Sequence, residues 1–120
     1  MRDVLHLGPL AADPLEAAAD LHARLLPAIE ATLTGGADPL TLVFLPAPRE
    51  HRAWRLALVQ GLARRFAPSR VNAVEGDQPE AVAAAIEWLA GAQAMTGQLL
   101  PLEAVGADGT DGAGVLYPTA

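Results

Sequence analysis

Histidine, arginine and tyrosine in this chain of 120 residues have side chains suited to acid–base, metal or anion chemistry, and no paired carboxylates stand out among its 14 acidic residues. The three histidines, His6, His22 and His51, are widely spaced, and the chain has no cysteine that would complete a metal site. We therefore interpret them as surface or hydrogen-bonded histidines, and we predict that the protein holds no metal. The single tyrosine, Tyr117, lies in the last segment of the sequence.

Arginine supplies all eight basic residues, and the chain has no lysine. Six arginines lie between residues 49 and 70. They fit an anion site, a solvated helix face, or a face that pairs with acidic residues of another helix, namely Asp13, Glu16, Asp20 and Glu30. We favour the last interpretation, in the form of an interface. The net charge of −6 argues against nucleic-acid binding, because nucleic-acid phosphates attract basic surfaces.

The composition predicts one small soluble domain. A length of 120 residues suits a single core, and the hydrophobic fraction of 52% is high for a lone domain of this size. We therefore expect a partner to cover part of the surface. The sequence contains neither an apolar run long enough to cross a membrane nor the pattern of a signal peptide, so we expect a cytoplasmic protein without a membrane partner.

The hydrophobic periodicity predicts alternating strands and helices, which is typical of a parallel sheet with crossover helices. We expect strands at residues 3–8, 40–45, 70–74 and 99–105, and helices at 14–33, at 50–66 and from Asp77 to Gly91. Pro101 predicts that the last strand lies at a sheet edge, because proline cannot donate to a strand ladder.

Capping signals fix the helix starts in this prediction. Asp13 followed by Pro14 suits the start of the first helix, and Asp77 with Glu80 suits the start of the third. Pro27 lies inside the first helix and predicts a kink there, because it removes one backbone hydrogen bond. Trp54 and Trp88 are predicted to be core or interface anchors.

Five short motifs follow one another along the chain: Leu5-His6-Leu7-Gly8, Gly61-Leu62-Ala63-Arg64, Arg70-Val71-Asn72-Ala73-Val74 with Gly76, the run from Pro79 to Ala90, and Thr96-Gly97-Gln98. In this order they resemble the C-terminal half of the short-chain dehydrogenase/reductase family, whose motifs there include N-N-A-G, R-V-N-x-[VI]-x-P-G and T-G-Q. The resemblance covers about residues 3–106 and lacks the family's first βαβ unit with its glycine-rich phosphate loop.

The family's catalytic residues are not matched. Its proton-donating tyrosine falls at Arg52, the lysine four residues later falls at Leu56, and the serine falls near Leu45 or Pro46. The proline of the family's P-G is replaced by Glu75. We therefore predict a pseudoenzyme with no catalytic residues, no cofactor and no cofactor-binding residues.

The resemblance implies a truncated Rossmann-like three-layer sandwich in the α/β class. Its four-stranded parallel sheet would have the order 1-2-3-4 with three helices, the third of them on the opposite face from the other two. We assign residues 1–106 to this domain. Residues 107–120 are Gly- and Asp-rich, and we assign them to a C-terminal arm rather than to a phosphate or calcium loop.

Two functions follow from these expectations. The first is a non-catalytic assembly module that forms a homodimer, or a complex with a full-length homologue, through helices 14–33 and 50–66. The alternative is a small-ligand or nucleotide-binding protein without redox activity, whose crevice lies around Gly8, Pro46, Ala47 and Gly76 at the carboxyl ends of the strands. A residual activity carried by other residues is a third hypothesis.

Overall fold

A computed structural model describes residues 2–102 of the chain. Four strands form one sheet in which every neighbouring pair is parallel. In sheet order they are β1 (Asp3–Leu7), β2 (Leu40–Phe44), β3 (Val71–Glu75) and β4 (Leu99–Pro101). The predicted fold class and strand order 1-2-3-4 are confirmed. Among the described residues β1 and β4 are the sheet edges, which agrees with the edge position predicted from Pro101.

Three helical connections join the strands. The first contains α1 (Pro14–Asp20), a π-helical segment (Leu21–Leu25) and α2 (Leu26–Thr34). The second is a single 3₁₀ turn (Arg49–His51) followed by α3 (Arg52–Arg65), and the third is α4 (Pro79–Gly91). No helix within residues 2–102 combines the length and apolar character that crossing a bilayer requires.

The first helical connection begins where its sequence predicts, and its hydrogen-bonding pattern changes just before Pro27. The Glu16 amide donates to the Asp13 carboxylate at 3.0 Å, and Pro14 occupies the first turn. Just before Pro27 the helix widens, and the Leu26 amide donates to the Leu21 carbonyl five residues earlier. The widened turn accommodates Pro27, because proline has no N–H to donate to a carbonyl of the preceding turn.

The start of α4 differs from the prediction. Gln78, not Asp77, is the N-cap residue, and no side-chain capping bond forms there. Pro79 sets this start, because proline restricts the residue before it to extended backbone and is itself suited to the first helical turn. Gln78 is accordingly extended, with φ −90° and ψ 113°. Asp77 therefore lies one residue too early to cap the helix.

The strand ends also shift from their predicted positions. β2 ends at Phe44, which leaves Leu45 exposed beyond it. β3 extends one residue past Val74 and includes the buried Glu75. β4 covers Leu99–Pro101, and the rest of its predicted range, like the predicted arm of residues 107–120, lies largely outside the described residues.

Alternate strand residues build two cores, one on each face of the sheet. On the first face, the strands pack against α1, α2 and α3 through a cluster that includes Leu42, Phe44, Leu58 and Leu62. Trp54 packs edge-on against Phe44 there, with ring centroids 5.8 Å apart. On the second face, a smaller cluster joins strand residues to α4: Val43, Val74, Val82, Ala85 and Leu89. The three-layer sandwich with the third helix on the opposite face is therefore confirmed.

The turn into β4 is held by the residues of the Thr96-Gly97-Gln98 motif. The Val71 amide donates to the Thr96 hydroxyl at 3.0 Å, and the Gly97 amide donates to the Val71 carbonyl at 2.7 Å. The buried Asn72 accepts from the Gln98 amide and donates to the Met95 carbonyl, both at 3.0 Å. These side chains serve the fold, because their polar groups are used in joining β3 to β4.

Candidate functional site

Two concave surfaces lie at the carboxyl ends of the strands, where α/β sheets commonly bind ligands. The first, here called the arginine cavity, encloses about 400 Å³ and is lined by Pro46, Ala47, Arg52, Glu75, Gly76, Asp77, Gln78, Ala81, Pro101 and Leu102. The second, here called the β1 groove, encloses about 450 Å³ between β1, β2 and α4. Its lining includes His6, Gly8, Val43, Leu45, Gly76 and Ile86.

The structure brings the predicted crevice residues to this edge of the sheet. Pro46 and Ala47 line the arginine cavity, Gly8 lines the β1 groove, and Gly76 lines both. Gly8 has φ +122°, which a residue with a side chain rarely adopts, so glycine suits this exit from β1. At Gly76 an added Cβ would lie 3.1 Å from Leu102 Cδ1, so a side chain there would displace the cavity wall.

Glu75 is the charged centre of the arginine cavity. It is the last residue of β3, and only 5% of its surface is exposed. One carboxylate oxygen accepts from Arg55 Nη1 at 2.9 Å, and the other accepts from Arg52 Nε at 3.3 Å. Both bonds are charge-assisted, and together they offset the desolvation cost of burying the carboxylate.

Arg55 neutralises Glu75 from inside the protein. Its residue surface is 3% exposed, and its Nη1 also donates to the Leu45 carbonyl at 3.0 Å. The guanidinium lies 4.4 Å from the ring centroid of Phe44, close enough for a cation–π contact. Its buried Nε has no hydrogen-bond partner among the described residues. The pair therefore joins α3 to the end of β3 at a high cost in desolvation.

Arg52 forms the solvent side of the same cluster. It is the first residue of α3, and 40% of its side chain is exposed toward the cavity. The family resemblance places the catalytic tyrosine here, and four residues later, at the lysine position, stands the exposed Leu56. A guanidinium–carboxylate cluster therefore borders the cavity, and its Arg52 and Glu75 line it.

The three histidines lie in separate elements. His51 is buried, where Trp54 Nε1 donates to its Nδ1 at 3.2 Å and its Nε2 bonds the Ala12 carbonyl at 2.9 Å. These two partners require the neutral tautomer with the proton on Nε2. His22 donates from Nδ1 to the Ala18 carbonyl, and His6 is exposed on β1. Within residues 2–102 no three potential metal-binding side chains lie together.

The arginines between residues 49 and 70 do not share one helix face, so that part of the prediction is wrong. Arg52 and Arg55 turn toward Glu75. Arg65 pairs with Glu30 of α2, and Arg70 pairs with Asp38. The Arg65–Glu30 pair is the one that matches the expected helix–helix pairing, and it forms within the chain.

Sequence reasoning missed Arg55 and Glu75, although signals for both existed. Arg55 lies three residues before Leu58 and four before Val59, so helical spacing places it on the buried face of α3. A buried arginine needs a carboxylate partner. Glu75 is the last residue of the buried strand β3 and was in a position to supply it from that end of the sheet.

Two carboxyl groups outside the cavity have a lowered pKa. The Arg70 amide, which donates to Asp38, holds the pKa of that carboxyl below its ordinary value. The hydrogen bond from Arg24 lowers the pKa of Asp20 in the same way. Both groups serve local structure at helix and strand ends.

Comparison with known proteins agrees with the topology. Residues 5–102 match the family model described as SDR-like, short chain dehydrogenase-like protein. No curated protein and no solved structure shows significant similarity to the chain. The family match spans most of the chain and includes every helix described above and every strand residue except the first two of β1. The chain therefore belongs to the short chain dehydrogenase-like protein family.

Proposed function

We propose that the protein is a non-catalytic assembly module of this family, in which two chains pair through the outward-facing residues of α1, α2 and α3. This outer helical surface is the face of the first helical layer that points away from the sheet. The observation that carries the proposal is an open groove of about 320 Å³ between α2 and α3, centred on Gly61. Its lining combines small and apolar residues with three polar ones: Leu26, Ala57, Leu58 and Leu62 with His22, Glu30 and Arg65.

Small residues keep this groove open. A Cβ added at Gly61 would meet no atom within 4 Å, so the space above the glycine is free of described residues. Ala57 and Ala53 lie four and eight residues earlier on the same side of α3, and both are exposed. Side chains at a helix contact set how closely two helices approach, so this stripe would allow a close crossing.

Two large apolar side chains of the first helical layer are exposed. Leu56 is 37% exposed on α3, and Leu15 is 82% exposed at the start of α1. Charged pairs that are already satisfied within the chain, Arg65 with Glu30 and Arg24 with Asp20, would form a polar rim. An apolar centre with a polar rim is the usual anatomy of a protein interface.

The residues at the catalytic positions support a non-catalytic role. Arg52 stands at the tyrosine position, and an arginine side chain is not deprotonated in proteins, so it cannot exchange a proton with a substrate. Leu56 has no charge with which to assist a proton donor, and no lysine exists elsewhere in the chain. Arg52 is also engaged with the buried Glu75.

The test is the mass of the protein in solution. We expect a dimer at micromolar concentration by light scattering coupled to size exclusion, and a shift toward monomer in Gly61→Leu. That substitution adds a side chain whose Cβ meets no atom within 4 Å and removes a helix-weakening glycine, so the fold is expected to persist. Gly91→Leu is the matched control, because Gly91 is also helical and has no atom within 4 Å of an added Cβ.

A monomeric wild type contradicts the homodimer, and a Gly61→Leu variant that dimerises as well as the wild type excludes this surface as the interface. Pairing with a full-length homologue through the same surface is tested by co-purification of the two chains. In that case Gly61→Leu is expected to abolish co-purification, and Gly91→Leu is expected to preserve it.

Ligand binding without redox chemistry is a second candidate, favoured by the arginine cavity. A cavity of about 400 Å³ is within the range of small-molecule sites, and its lining mixes apolar walls with the Arg52 guanidinium and the carboxylates of Glu75 and Asp77. A thermal-shift screen with nucleotides and acyl thioesters tests this candidate. A protein whose melting temperature moves with none of these compounds contradicts it.

A further inference from the structure

We propose that the arginine cavity binds a small organic acid, whose carboxylate is held by Arg52 and whose apolar body lies against the cavity wall. This inference rests on the second candidate function and names its ligand class. It does not depend on the assembly proposal, because the cavity and the outer helical surface share no lining residue.

The charge balance of the cluster leaves one positive charge for a ligand. Glu75 carries the single buried negative charge, and Arg55 offsets it through the 2.9 Å bond and equally deep burial. Arg52 therefore adds a second positive charge beside a carboxylate that is already neutralised. Because 40% of the Arg52 side chain is exposed, this charge is accessible from the cavity.

The hydrogen-bonding geometry of Arg52 is suited to a carboxylate. Its bond to Glu75 uses Nε, and no described residue bonds its two terminal amino groups, Nη1 and Nη2. These two groups form a fork that matches the two oxygens of a carboxylate. The Glu75 anchor restrains the guanidinium, so less side-chain freedom is lost when a ligand binds.

The apolar lining of the cavity favours a ligand whose remaining part is apolar. Pro46 and Ala47 line one side, Pro101 and Leu102 line the other, and Ala81 completes the apolar lining. A single available guanidinium in a small cavity favours a monocarboxylate with an apolar chain over a polyphosphate, which would need several cations.

Asp77 provides a charge of opposite sign at the rim. Its exposed carboxylate lines the same cavity, so it repels an incoming acid and lowers its affinity. Removing the Asp77 charge should therefore strengthen acid binding, whereas removing the Arg52 charge should weaken it. Opposite effects from two residues of one cavity are hard to produce by a general change in stability.

The experiment uses sodium hexanoate as probe and 1-hexanol as its uncharged analogue. Calorimetry and amide chemical shifts of Gly76 and Ala81 are expected to show hexanoate binding in the arginine cavity and weaker hexanol binding. Arg52→Gln should lower hexanoate affinity about tenfold or more, the range of a charge-assisted hydrogen bond. Asp77→Asn should raise it about twofold to fivefold, as expected for an exposed charge near the ligand.

Arg49→Gln is the matched control, because Arg49 is exposed on the turn just before α3 and does not line the cavity. The affinity of the Arg49→Gln variant for hexanoate should equal that of the wild type. Binding of hexanol as tight as that of hexanoate overturns the inference while leaving ligand binding itself intact. Unchanged hexanoate affinity in Arg52→Gln also overturns the inference. If Arg52→Gln does not fold, the inference is overturned when Asp77→Asn binds hexanoate no more tightly than the wild type.

Discussion

The two faces of the sheet differ in how completely they are covered. Among the described residues, fourteen buried apolar residues fill the face under α1, α2 and α3, whereas five fill the face under α4. The first face also encloses the Arg55–Glu75 pair beside Phe44. The second leaves Trp88 exposed on α4 and the β1 groove open beside Ile86.

This difference separates the sources of stability from the sites available to partners and ligands. The first helical layer supplies most of the buried area on its inner side and is proposed to bind a second chain on its outer side. The α4 layer lines both cavities at the carboxyl ends of the strands, and the apolar core beneath it contains fewer buried residues. The predictions below compare the two faces, beginning with the largest effect.

Loss of the Glu75 charge should be the most damaging single change. Glu75→Ala leaves the buried Arg55 guanidinium without a counter-charge, which we expect to cost about 3–5 kcal/mol of unfolding free energy. Chemical denaturation measures this loss. The double variant Arg55→Met with Glu75→Leu should recover a large part of it, because no uncompensated charge then remains. Equal losses of unfolding free energy in the single and double variants would show that packing, not charge, stabilises the contact between α3 and the end of β3.

The same leucine truncation on the two faces should have unequal effects. Leu42 on β2 and Leu89 on α4 are both fully buried. We expect Leu42→Ala to cost about 3–4 kcal/mol of unfolding free energy and Leu89→Ala about 2–3 kcal/mol, because the thinner core around α4 can collapse more easily onto the cavity. Urea denaturation of both variants measures the difference. A larger loss for Leu89→Ala would reverse the comparison of the two faces.

Removal of the α1 cap should have a moderate effect. The Asp13 carboxylate accepts from the Glu16 amide at 3.0 Å, so Asp13→Ala should cost about 1 kcal/mol. Asp77→Ala is a useful control, because Asp77 lies before the N-cap of α4 and no capping bond is lost. Similar losses for both variants would argue against the assigned helix starts.

The smallest effect is a pH dependence at Asp38. Its pKa is lowered in the folded protein, so its stabilising contribution is present above the ordinary carboxyl pKa and is lost as the pH falls through the folded value. Wild type should therefore lose more stability than Asp38→Asn between neutral and strongly acidic pH. Thermal melts across this range measure the difference, and identical pH profiles would contradict the assigned role of the Arg70 amide.

The fold was largely predictable because local signals and the hydrophobic pattern agreed. Continuous apolar runs such as that from Leu40 specify buried parallel strands, and Asp13-Pro14 fixes a helix start. The placement of the third helix on the opposite face came from the family resemblance, since the general handedness rule for crossovers favours the other face. The cap at Asp77 was mispredicted because Pro79 overrides a nearby acidic residue.

The arginine cavity was only partly predictable. Its backbone residues, Pro46, Ala47 and Gly76, follow strands and so meet at one sheet edge. The Arg55–Glu75 pair joins residues twenty positions apart on different elements, and its formation depends on the register between α3 and β3. Charge content alone placed the arginines on a common face, because it does not reveal which of them is buried.

The central claim, assembly through the outer helical surface, is tested most directly by sedimentation equilibrium of the wild type, Gly61→Leu and Gly91→Leu at micromolar concentration. We predict that the wild type and Gly91→Leu have the mass of two chains and that Gly61→Leu approaches the mass of one. A wild type with the mass of one chain would contradict the homodimer, and equal dimer masses for all three proteins would exclude this surface as the interface.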